Sequence, residues 1–146
     1  MATQMATDMA TATAATVKAS SGGRVWYRLA VLYFVVATGL GLFMGISEDH
    51  SLFPVHAHLN LLGWVSLALT GVLYERFPGA IGTRLYPLHF WVYNITLPTS
   101  MVTLALAMKG NAAAGPVLGV VSILLFASIV IFVINIWRNS QGDRAG

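Results

Sequence analysis

Pro54-Val55-His56-Ala57-His58-Leu59-Asn60-Leu61-Leu62-Gly63-Trp64 begins an apolar stretch that runs on to Phe77. At about 20 residues, such a stretch is long enough to cross a bilayer as a helix. Helical side chains two apart are rotated by roughly 200°, so the imidazoles of His56 and His58 point to opposite sides. One rod then offers a ligating nitrogen in each of two directions. Ionisable side chains inside a bilayer are costly, and by default they mark function.

Three more stretches have the same character: Trp26–Ile46, Leu88–Met108 and Val117–Trp137. Pro54, Pro87 and Pro116 stand just before or in the first turn of the last three helices, where a missing N–H costs nothing. Only 9% of the 146 residues are charged, 57% are hydrophobic, and the mean hydropathy is +0.74. Soluble domains carry about 25% charged residues, so this chain belongs in lipid. The expected fold is an all-α bundle of four transmembrane helices. With no cysteine in the sequence, disulfides and thiolate metal sites are excluded.

Basic residues give the expected orientation. Lys18, Arg24, Arg28, Arg76, Arg84, Arg138 and Arg144 fall on one side of a four-helix topology, and Lys109 alone on the other. The positive-inside rule then puts both termini in the cytoplasm; the expected location is a bacterial inner membrane, crossed several times. The expected organisation is a disordered tail over 1–23, a membrane domain over 24–138 and a short C-terminal tail over 139–146. The Ala/Thr-rich first segment has no apolar core of a secretory signal, and its Ser-Ser-Gly-Gly run favours disorder.

On a regular helix His56, Asn60, Gly63, Trp64 and Leu67 share one face, with Gly71 two turns on, while His58, Leu62, Val65 and Leu69 make another. Gly63 and Gly71 are expected to let a flat, bulky group approach the backbone. Neutral imidazole is a good ligand for iron, copper and zinc. The apolar walls suit a porphyrin better than a hydrated ion. A surface site from Glu48, Asp49, His50 and His56 is a weaker alternative.

His89, beside Tyr86 and Trp91, reads as an interface histidine in an aromatic belt. It should differ in depth from His58 by very roughly 20–25 Å. Asn94 is expected to satisfy a backbone group or cross to another helix, and Pro98 to kink the third helix. Gly41 and Gly45 have a spacing common in close helix packing. No phosphate loop, nucleophilic triad or carboxylate ion pathway is expected, and no nucleic-acid binding.

The run from His56 to Trp64 resembles the His-x-His helix of subunit I in the haem–copper oxidase and nitric oxide reductase superfamily. It is also similar to short four-helix proteins described as cytochrome oxidase subunit I-like. The likeness is specific over these nine residues and elsewhere lies only in topology. It implies that His56 and His58 are haem axial ligands, with Asn60, Gly63 and Trp64 beside the cofactor. With no Cys-x-x-Cys-His sequence, the implied cofactor is haem b with its iron.

Large subunit I has about twelve helices and further histidines for a second metal, whereas this chain has only 4 histidines in all. Catalysis at a second-metal centre is therefore not implied. Three copies would restore twelve helices, with His56 of one chain and His58 of the next on one iron. The expected function is electron transfer or handling of oxygen or nitric oxide, with a quinol or periplasmic electron carrier as partner. The alternatives are a copper or zinc binding or transport protein, and a cofactor-free accessory subunit of an oxidase.

Overall fold

The computed structural model describes residues 1–140, with the backbone alone at 2, 12 and 14–21. Helix α1 spans Ala2–Ser47. Helix α2 spans Phe53–Arg76, α3 spans Leu85–Met108 and α4 spans Ala114–Ser140. A 3₁₀ turn, Pro78–Gly82, joins α2 to α3. There is no strand among the described residues. Four helices are long and apolar enough to span a membrane, the first over Gly22–Ser47. Helices leave no backbone group unpaired in lipid, which is why such segments fold this way.

Pro54 lies at the start of α2, and Pro87 and Pro116 each fall in the first turn of their helix, as expected. Helix α3 continues through Pro98, and Asn94 caps its own turn, donating to the Phe90 carbonyl at 2.8 Å. Threonines inside the spans fold back in the same way: Thr38 donates to Phe34, Thr96 to Val92 and Thr103 to Thr99. Each hydroxyl is thereby satisfied without a partner from outside its helix.

At the N-terminus the structure differs from the sequence reading. Where a disordered tail over 1–23 is expected, α1 runs back continuously to Ala2. Alanine is the best helix former, and the segment before Gly22 contains neither glycine nor proline. Thr7, Thr11 and Thr13 bond carbonyls four residues back instead of competing with the helix. Gly22 and Gly23 mark close approach rather than a linker. A Cβ at Gly22 would stand 2.8 Å from Ile81, and one at Gly23 would collide with Glu75 of α2. Of the expected C-terminal tail, 141–146 lie outside the described residues.

The helices pair as α1 with α2 and α3 with α4. Near the termini an aromatic cluster ties the pairs together: Trp26 from α1, Tyr74 from α2, His89 and Tyr93 from α3, and Phe132 from α4. α4 is the most apolar span, yet only 11% of its apolar window is buried within the chain. A soluble fold would hide such a helix, so this distribution suits a surrounding of lipid or further protein.

Candidate functional site

Both histidines stand in the first turns of α2, just before the helix widens. Phe53–His58 is α-helical, and Leu59–Ser66 is a π-helical stretch before the α-helix resumes at Leu67. Stretches of π-helix are rare and concentrate at functional sites. The loosened turns keep their carbonyls paired: Tyr93 of α3 donates to Leu62 at 2.9 Å, and Ser66 donates to Leu61 at 2.8 Å.

The imidazoles diverge as the spacing requires. His56 lies against α1, where its Nδ1 donates to the Ala37 carbonyl at 2.9 Å. Its ring covers Gly41, at which a Cβ would stand 2.7 Å from Cε1. His58 faces the other way, on the wall of a cavity between α2, α3 and α4. Its Nδ1 donates to the Pro54 carbonyl at 2.7 Å. Since a carbonyl can only accept, both rings carry hydrogen on Nδ1 when neutral, leaving the Nε2 lone pair for a ligand. The Asn60 amide donates to the His56 carbonyl at 3.0 Å and reaches its Nε2 only at 3.4 Å.

The cavity beside His58 measures about 380 Å³, within the usual range for small-molecule sites. Leu62, Met101, Leu104, Leu118, Leu125 and Phe126 make most of its wall. Ser100 also lines it, 3% exposed, and its buried hydroxyl has no partner. Such a group costs about 1–3 kcal/mol unless something polar meets it.

Gly63 and Trp64 both turn to α1, on the same side as His56. The room at Gly63 is taken by Tyr33, whose ring would come within 2.7 Å of a Cβ, and that at Gly71 by Tyr27, within 2.8 Å. The glycines therefore seat tyrosines, where the sequence suggested space for a flat ligand. Trp64 lies against Phe34, ring centroids 4.9 Å apart.

His50 is exposed in the 48–52 loop, bonded to the Glu48 carbonyl at 3.1 Å. No three histidine, aspartate or glutamate side chains converge on a metal position among the described residues. The Glu48, Asp49, His50 and His56 set is accordingly not assembled.

His89 corrects the belt reading. It is 1% exposed, whereas Trp91 is 63% exposed. Its ring stacks on Trp26 at 4.7 Å and on Phe132 at 5.0 Å, and Nδ1 bonds the Tyr74 hydroxyl at 2.9 Å. Burial follows from Trp26 and Phe132, which lie far from His89 in sequence. Glu75, in the last turn of α2, is the acid that sequence reading missed; it accepts from the Tyr27 hydroxyl at 2.7 Å.

Compared with known proteins, the chain matches no family model, no curated protein and no solved structure.

Proposed function

We propose that the protein is a haem b-binding multi-pass membrane protein acting in electron transfer or in handling of oxygen or nitric oxide. It would lie in a bacterial cytoplasmic membrane with both termini inside, and His56 and His58 would hold the haem iron. One observation carries the reading: His58, its Nδ1 engaged by Pro54, borders an apolar cavity of about 380 Å³ that also holds the unpartnered Ser100 hydroxyl. The donor set fits the group. His58 offers Nε2, His56 would do so once the Asn60 amide at 3.4 Å turned away, and a backbone carbonyl fixes each ring's orientation, as is usual for ligating histidines.

Bound haem supplies a one-electron iron couple, and two histidine ligands favour electron transfer over gas binding. The chain's own residues hold and shield the site. Ala37 and Pro54 orient the rings, Gly41 makes room for His56, and Leu62, Met101 and Leu125 exclude water. The divergence of His56 and His58, two apart on one helix, motivates ligation between neighbouring chains. Three chains in a homotrimer would share three haems, each with His56 of one copy and His58 of the next. A quinol or a periplasmic carrier would serve as redox partner.

The test is the absorbance spectrum of protein purified from haem-replete cells, with and without carbon monoxide. The expected result is a b-type spectrum with sharp reduced bands, one haem per chain, and a trimer by mass. His56→Ala and His58→Ala should each lose haem or turn it high-spin. A colourless preparation, or both variants with unchanged reduced spectra, overturns the ligand assignment. A monomer that keeps its full haem content overturns the shared ligation.

A further inference from the structure

The two ends of the bundle differ in charge. Arg24 and Arg28 of α1, Arg76 of α2, Arg84 before α3 and Arg138 of α4 stand at the end that carries the termini, with Glu75 the acid among them. The opposite end carries Glu48, Asp49 and Lys109. Trp91 and Trp137, both exposed, lie within two turns of the basic end, at the depth where indole rings settle against lipid headgroups. Arg28 is exposed as well, and it has no hydrogen bond or ion pair among the described residues. With Tyr27, Val31 and Leu32 it borders a shallow groove of about 440 Å³ on α1. Glu75 does not line this groove, and its carboxylate accepts from the Tyr27 hydroxyl.

Below Arg28 the helix turns an uncovered apolar lane outward. Leu32 and Val35 are exposed, and a Cβ at Gly39 would meet nothing within 4 Å. Arg28, Leu32, Val35 and Gly39 follow the i, i+4, i+7, i+11 pattern and share one face. From Arg28 to Gly39 the helix rises about 16 Å, half of a hydrocarbon core of roughly 30 Å and so the depth of one leaflet. A cation at the membrane surface above an apolar lane one leaflet deep is the complement of an anionic phospholipid. A guanidinium meets phosphate through two parallel N–H bonds. The neighbouring arginines add a positive potential that favours a headgroup of net negative charge. A second copy of the chain fits this face less well. Copies that share one orientation in a membrane bring the same basic end to Arg28, and its acid, Glu75, is already engaged by Tyr27.

We propose that the face of α1 from Arg28 to Gly39 seats one anionic phospholipid, with its phosphate on Arg28 and an acyl chain along Leu32 and Val35. This goes beyond the haem reading and does not depend on it.

The test is native mass spectrometry of the full chain released from detergent micelles that contain phosphatidylglycerol and phosphatidylcholine of equal chain length. Phosphatidylglycerol should be retained several-fold more than phosphatidylcholine. Arg28→Gln should erase that preference, whereas Arg28→Lys, which keeps the charge, should retain most of it. Leu32→Trp, which crowds the lane, should lower retention of phosphatidylglycerol several-fold, and Lys109→Gln, at the other end, should leave it unchanged. Glycerol phosphate, a headgroup without chains, should not compete at the same concentration. Equal retention of the two lipids, or a preference that survives Arg28→Gln, overturns the seat. Competition by glycerol phosphate, or retention indifferent to Leu32→Trp, overturns the lane. Fewer chains per particle in Arg28→Gln would show a second copy on this face and overturn the proposal as well.

Discussion

The His56 imidazole lies directly over Gly41, so closely that a Cβ there would stand 2.7 Å from Cε1. The ring is held in that place by the Ala37 carbonyl, one turn earlier on the same helix. Gly41→Ala must therefore move the ring or part the helices. Overpacking of this kind costs about 1–3 kcal/mol. Thermal unfolding in detergent should show the loss, and, on the haem proposal, the reduced spectrum should shift towards that of His56→Ala. A spectrum identical to the parent's would show that the pose of His56 is immaterial to the cofactor.

His89→Ala is expected to behave in the opposite sense. The ring fills the space between Trp26 and Phe132 and bonds Tyr74. Its removal leaves a void and an unpaired phenol, at a cost of about 2–4 kcal/mol. Stability should fall and, on the haem proposal, the spectrum of folded protein should stay as it was. Loss of haem from well-folded His89→Ala would place His89 in the cofactor site, against the present assignment.

Tyr93→Phe tests what supports the widened part of α2. The Tyr93 hydroxyl donates to the Leu62 carbonyl within the π-helical stretch. Without it a part-buried carbonyl loses its cross-helix partner, costing about 1–3 kcal/mol. Thermal unfolding of the variant should fall accordingly, and amide exchange should rise over Leu59–Ser66 more than over α4. Even exchange across the chain would mean that the stretch stands without Tyr93.

What was legible in the sequence follows from where the signal is local. The spans, their proline starts and the divergence of His56 from His58 depend on composition and on rotation along one helix. The π-helical stretch was not legible, because its support from Tyr93 comes 27 or more residues later in the chain. For the same reason Gly63 and Gly71 read as room for a ligand, when Tyr33 and Tyr27 of a distant helix fill them. Burial of His89 depends on Trp26 and Phe132, on two other helices. The helix over the first residues was obscured by low complexity, although its alanines and back-bonding threonines carry the propensity.

The loop between α1 and α2 has its own acid sensitivity. Asp49 accepts from the Ser51 N–H at 2.9 Å, and this bond, helped by Lys109 and His50, holds its carboxyl below the ordinary value. A carboxyl lowered in the folded state stabilises the turn above its unfolded value. That contribution is lost as pH falls from about 4 through the lower folded value. Carbon NMR of the Asp49 carboxyl should show a midpoint below that of a free aspartate, moving upward in Lys109→Ala. Asp49→Ala should remove the acid-dependent change in the Ser51 amide signal. An Asp49 midpoint at the ordinary position would mean that the turn does not select the charged form.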